Sequence, residues 1–252
     1  VAKKNIIRAQ NLCKTYNTGS EQYHAIRNVD LDIYEGDFTV IMGNSGSGKS
    51  TLLYLMSGLD HVTAGEVYFR DQRIDAYSER EMSDFRIRRI GYIYQSINLV
   101  PDLSIKENIA LPGYIAGTKK NEVQTRTAQL MNAMDIDGQR NRLPSQTSGG
   151  QQQRAAIARA LINSPDILFA DEPTGSLNYE HGKAVLDILT DINRKGQSVV
   201  MVTHDIKAAC RADRLIFIRD GKVGGIMEFE KYDEHQIHDR ESMVFAFVSG
   251  KE

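Results

Sequence analysis

The chain has 252 residues, 41% of them hydrophobic and 25% charged, with a formal net charge of −2. Such ordinary usage excludes disordered and fibrous classes, and the length suffices for a substantial core in one large domain or two small ones. The balanced charge excludes bulk attraction to nucleic acid or anionic lipid.

In chain order, the opening VAKKNIIRAQ is basic but has no apolar signal core. No stretch approaches the ~18 apolar residues needed to span a membrane. The chain therefore reads as soluble by itself, with any membrane role exercised through a partner. Cys13 and Cys210 have no metal-type spacing and read as incidental thiols of a reduced, intracellular protein. Val29, Leu31 and Ile33 alternate with Asn28, Asp30 and Asp32, the period of a strand with one wet face. Residues 65–70 (GEVYFR) read as another such strand. Residues 38–42 (FTVIM), 166–170 (DILFA) and 198–203 (SVVMVT) are short and almost wholly apolar, as central strands covered on both faces are. Between them Asn121 is placed to cap a helix running to about residue 135. Strands alternating with helices predict an α/β core with a largely parallel sheet, and the N-terminal strands a separate antiparallel layer.

Gly43-Asn44-Ser45-Gly46-Ser47-Gly48-Lys49-Ser50-Thr51 satisfies G-x-x-x-x-G-K-[ST]. It follows the apolar run FTVIM and opens the helical stretch TLLYLMSGL, the context a phosphate loop requires. Glycines let successive N–H groups face one anion, and the helix start adds the positive end of its dipole. Lys49 is placed to reach the β- and γ-phosphates of a nucleotide and the Ser50 hydroxyl to ligate Mg²⁺.

Asp171 and Glu172 follow the apolar run DILFA. Carboxylates at the carboxyl end of a central strand sit where α/β sheets bind ligands. Beside a phosphate loop, Asp171 suits Mg²⁺ and Glu172 suits polarising the attacking water. His204 follows SVVMVT and can reach the same edge, to hydrogen-bond the γ-phosphate and that water. Thr147-Ser148-Gly149-Gly150-Gln151 precedes a second helical run, QQRAAIARALIN, whose small opening residues make another anion site.

With these motifs in order, the chain resembles the ATP-binding-cassette family from at least Tyr16 to His204. The resemblance implies the P-loop NTPase α/β fold over residues 1–252, a helical signature subdomain at about 96–163 and a C-terminal extension at about 221–252. It also implies that Tyr16 stacks on adenine, that Gln95 touches Mg²⁺ and senses a membrane partner, and that Glu172 and His204 are the catalytic carboxylate and switch histidine. Ser148, Gly149 and Gly150 would face the γ-phosphate of ATP held by a second copy lying head to tail. GLDHVTAGEV, FRIRRIGYIYQSINLVPDLSIKENIALP, SGGQQQRAAIARAL and FADEPTGSLN further resemble the group serving lipoprotein release, macrolide export and antimicrobial-peptide resistance. That implies an ATPase at the cytoplasmic face of the membrane, driving integral permease subunits, with no nucleic-acid partner. A cell-division or antibiotic-sensing complex that signals without transport is the alternative.

Asn178 stands where that family usually has aspartate, Thr147 replaces a common leucine and Gln146 a common glutamate. Residues 79–89 (EREMSDFRIRR) read as a solvated helix face. The tail from Asp220 begins with the hairpin-like DGKVGG and ends with ESMVFAFVSG, apolar enough to pack on the core or on a second subunit. His235 and His238, three apart, are placed to share a helix face, though without further ligands for a metal.

Overall fold

The computed structural model describes residues 3–19 and 21–250. Its first half runs β1 (Asn5–Thr18), β2 (Glu21–Tyr34), β3 (Phe38–Gly43), α1 (Lys49–Met56), β4 (Ala64–Phe69), β5 (Gln72–Arg73), α2 (Glu79–Arg89), β6 (Ile90–Ile93), α3 (Ile105–Ile115) and α4 (Lys120–Ala133). There follow α5 (Gly149–Leu161), β7 (Ile167–Asp171), α6 (Tyr179–Arg194), β8 (Ser198–Val202), α7 (Ile206–Ala209), β9 (Arg214–Arg219), β10 (Lys222–Glu228) and α8 (Ile237–Ser249). The chain forms two units, one from the residues through Met82 and from Asn193 onward, the other from Ser83 to Ile192.

In the first unit β2, β1, β4 and β5 form an antiparallel layer, the one expected at the N-terminus. β3 pairs in parallel with β8 and with β9, and β10 adds antiparallel to β9. Every residue of β8, and all of β3 before Gly43, is buried, which is why these runs carry no polar alternation. On β2, Val29, Leu31 and Ile33 are buried whereas Asn28 and Asp30 are exposed. Asp32 is half-buried and accepts a 2.8 Å hydrogen bond from the Asn5 amide.

The β9–β10 hairpin turns through Asp220 and Gly221 at φ +51° and +74°, the left-handed pair of a type I′ turn. A Cβ at Gly221 would lie 2.6 Å from the Ala25 carbonyl oxygen, so the tight approach to β2 also needs glycine. The C-terminal tail packs on this same unit. Arg240, 3% exposed, donates to the carbonyls of Cys210, Ala212, Glu230 and Lys231, and its guanidinium lies 5.1 Å from the Phe229 ring centroid. Phe247 meets Phe217 edge-on at 6.4 Å, while Met243 and Phe245 stay exposed. Arg240→Met should therefore lower unfolding free energy by about 2–3 kcal/mol, because buried carbonyls lose a charged donor. Urea denaturation measures this; an unchanged midpoint would show that Arg240 does not hold the tail.

His235 and His238 do not share a helix. His235 lies in a 3₁₀ turn (Glu234–Gln236) and His238 in the first turn of α8, because Asp233 caps the turn through the His235 N–H. Among the described residues no group of three or more His, Cys, Asp or Glu could hold a metal ion. Cys210 is fully buried and burial pushes its thiol up to about 11, so it behaves as an inert core hydrophobe.

In the second unit β6 and β7 pair in parallel, with every residue of β7 buried. Within α2, Met82 and Phe85 are buried and the remaining residues are exposed or half-buried, as for a solvated helix. The helix expected from an Asn121 cap starts earlier. Lys119 is the N-cap, without a side-chain bond, and α4 ends at Ala133. Left-handed Gly117 (φ +78°) closes α3, and Val123 N–H already donates to the Lys119 carbonyl, so the new helix begins almost at once.

Candidate nucleotide site

In the first unit the phosphate loop is the turn between buried β3 and α1. Gly48 occupies the N-cap position at φ +99°, where a side chain would be strained, and a Cβ there would lie 2.5 Å from the Ala25 carbonyl oxygen. The first helical bond runs from Leu52 N–H to the Gly48 carbonyl, leaving the N–H groups of Lys49, Ser50 and Thr51 outside the helix ladder. α1 has no side-chain cap and no acid in its first turn, so the positive end of its dipole is not neutralised from within. Ser47 Oγ is buried without a hydrogen-bond partner among the described residues. Asn44, Ser45 and Gly46 are exposed at the loop tip. Lys49 is 9% exposed and folds back so that Nζ donates to the Asn44 carbonyl at 2.9 Å. An uncapped helix start, an orphaned hydroxyl and an ammonium gathered on one glycine turn fit a polyphosphate.

Two further groups belong to this edge of the first unit. Ile41 and Val202 are register partners on β3 and β8, and Thr203 N–H donates to the Ile41 carbonyl. His204 thus leaves β8 at the carboxyl end beside the start of the loop, and it is exposed. Tyr16 lies opposite Tyr23 across the β1–β2 hairpin, and the Tyr23 hydroxyl donates to the Gly46 carbonyl at 2.8 Å. The Tyr16 hydroxyl donates to Asp60 at 2.7 Å. Burial and this bond push the Tyr16 phenol up, against the neighbouring Thr51 hydroxyl, which pulls it down. Sequence alone does not single out Tyr23 or Asp60, since Tyr23 comes opposite Tyr16 only through the register of β1 with β2.

In the second unit β7 ends in Asp171, 3% exposed, and the backbone turns sharply at Glu172, whose φ is +46°. A glutamate in this left-handed region is strained, and its half-buried side chain follows directly on a buried carboxylate. Gln95 lies just beyond β6, whose Ile93 pairs with Ala170. Its amide nitrogen lies 3.8 Å from where a Cβ on Gly175 would stand, so Gln95 borders the turn after Glu172. Asn178 caps α6 by accepting from the His181 N–H at 2.9 Å, a task an amide oxygen performs as well as a carboxylate.

Ser148 caps α5 through a capping box. Its hydroxyl accepts from Gln151 N–H while the Gln151 amide oxygen accepts from Ser148 N–H. This box uses a neutral glutamine, and no acid stands in the first turn, so the second helix start also stays positive. Ser148 and Gly149 are exposed; Gly150 is buried, and a Cβ on it would lie 2.9 Å from His181 Cδ2. Gln146 and Thr147 serve local turns, accepting from Leu143 N–H and donating to the Pro144 carbonyl respectively.

Comparison with known proteins places these features in a family. Residues 26–175 match the family model described as ABC transporter. The chain is 43% identical over 218 residues to an uncharacterized ABC transporter ATP-binding protein, MJ1508, of Methanocaldococcus jannaschii, covering 86% of this chain and 97% of that one. It is 40% identical over 230 residues, 91% of its length, to the macrolide export ATP-binding/permease protein MacB of Brucella melitensis, of which it spans 35%. Among solved structures, the ATP-binding cassette MJ0796, a dimer in a post-hydrolysis state bound to ADP and Pi, has a TM-score of 0.83 and 38% identity, with 90% of this chain and 100% of that chain covered.

Proposed function

The chain belongs to the ABC transporter family, and from that premise we propose that it binds and hydrolyses ATP, two copies enclosing two Mg-ATP head to tail. The observation that carries this reading is the uncapped start of α1 on a glycine turn with Lys49 folded over it. The relatives support it: one is named an ATP-binding protein, and MJ0796 is a dimer with ADP and Pi.

In this reading the N–H groups of residues 44–51 cradle the phosphates, and Lys49 neutralises charge on the β- and γ-oxygens. Tyr16 supplies a face for adenine. Ser50, Gln95 and Asp171 would hold Mg²⁺ through oxygen, which suits an ion that keeps several waters and binds substrate phosphates rather than a cage of acids. Such an ion would supply charge stabilisation at the phosphate oxygens. Glu172 accepts the proton of the attacking water, and His204 holds that water against the γ-phosphate through a ring nitrogen. Ser148, Gly149 and Gly150 of the opposite copy cap the γ-phosphate with the positive start of α5. ATP thereby completes an interface that neither copy forms alone, and loss of the γ-phosphate opens it. The difference in affinity between nucleotide states is the work available to a partner.

No helix among the described residues is long and apolar enough to cross a membrane. The MacB relative is named ATP-binding/permease, and the chain spans 35% of it. By analogy with the permease portion of that relative, we propose an integral permease as the partner, the cytoplasmic membrane face as the location, and a lipoprotein, antimicrobial peptide or drug moved outward as the cargo. Purified chain should release phosphate from ATP in Mg²⁺ and cease to do so in excess EDTA, a loss of at least about 100-fold. Turnover that is equal with and without the ion would contradict the assigned ligands.

A further inference from the structure

Tyr16 is gripped from two sides. Its hydroxyl donates to Asp60 Oδ2 at 2.7 Å, and Lys14 Nζ lies 4.8 Å from its ring centroid. Lys14 closes the group by donating to Asp60 Oδ1 at 2.6 Å and to the His61 carbonyl at 2.7 Å. Only 8% of Lys14 is exposed, an unusual depth for a lysine, and the carboxylate and the ring face are what make it tolerable. The His61 N–H also donates to Asp60 Oδ1. Burial pushes the Asp60 carboxyl up, but the bonds from Lys14, Tyr16 and the His61 N–H outweigh it and hold it below its ordinary range. Asp60 thus stays ionised as the shared acceptor.

We propose that Lys14 and Asp60 are positioning residues for base recognition: together they fix the Tyr16 ring in its stacking pose, with Lys14 on one face and the nucleotide base on the other. This rests on the reading of Tyr16 as the base platform. A free tyrosine loses rotamer freedom when a base settles on it, whereas a ring already pinned at its hydroxyl and one face has lost that freedom beforehand. The base then meets an ordered surface.

The test is calorimetric titration of the full chain with Mg-ATP and, separately, with Mg-tripolyphosphate, which has phosphates but no base. Asp60→Asn and Lys14→Met should each weaken ATP binding roughly three- to tenfold, the cost of ordering one side chain. Tripolyphosphate affinity should be unchanged. Tyr16→Phe, which removes a single hydroxyl and leaves the fold intact, should weaken ATP similarly. Tyr16→Ala should weaken it about five- to 150-fold, the scale of base stacking. In the Tyr16→Ala background Asp60→Asn should add nothing further. Wild-type ATP affinity in Tyr16→Phe and Asp60→Asn, or equal losses for ATP and tripolyphosphate, would overturn the clamp. Unchanged ATP affinity in Tyr16→Ala would instead remove the platform itself.

Discussion

Glu172→Gln is expected to bind Mg-ATP with near-normal affinity and turn over about 10²–10⁴-fold more slowly, the usual contribution of a positioned general base. The amide has the shape of the carboxylate and keeps an acceptor oxygen, but it cannot take the proton of the attacking water. The backbone supports this choice of residue. Asp171 is buried at the end of β7, whereas Glu172 turns through φ +46° to present its side chain differently from the strand before it. Strain of that kind persists where the surrounding structure enforces it. With hydrolysis blocked, the closed dimer has no route to open, so sedimentation in saturating Mg-ATP should show dimers retaining nucleotide. A variant that stays monomeric there contradicts the enclosed-nucleotide reading.

Lys49→Ala should lose at least about 10²–10³-fold in ATP turnover, the scale for removing one preorganised donor to developing charge. Lys49 is buried and its Nζ already sits on the Asn44 carbonyl, within the turn that would carry the phosphates. The glycine turn and the α1 N–H groups survive the substitution, so the variant should fold with a similar melting temperature. The loss would then be one of charge at the phosphates rather than of the loop. Wild-type turnover in a folded Lys49→Ala chain contradicts the phosphate-loop assignment.

Much of the fold was legible because its strongest signals are contiguous. The runs FTVIM and SVVMV carry no polar alternation since both faces of β3 and β8 are buried, and the alternation at Val29–Ile33 reports a strand with one face wet. The glycine loop and the capping box at Ser148 are likewise local. Sequence misled where a short connection overrode propensity. Asn121 is a better cap than Lys119, yet Gly117 ends α3 so close by that the next helix starts first. Capping of the 3₁₀ turn by Asp233 separated two histidines whose spacing suited one helix. The partners of the site residues were illegible for a different reason. Lys14 and Asp60 meet only after β1 and β4, distant in sequence, have paired, Tyr23 reaches the Gly46 carbonyl only in the folded unit, and His181 reaches Gly150 only once the starts of α5 and α6 lie together.

Asn178, Gln146 and Thr147, which the resemblance marks as departures, have local roles here, each in a cap or turn that its side chain satisfies. They leave intact the residues to which the chemistry is assigned.

The most direct measurement mixes two variants, each disabled in a different half of the proposed site. Lys49→Ala spoils the phosphate loop and Ser148→Arg blocks the start of α5, so neither homodimer should release phosphate from ATP. Subunits exchanged at equal ratio form mixed dimers in which one intact loop faces one intact α5 start. Phosphate release should then return to roughly a quarter of the wild-type rate, as half the dimers are mixed and each has one whole site. A mixture as inactive as its two components would show that loop and helix start must lie on the same copy.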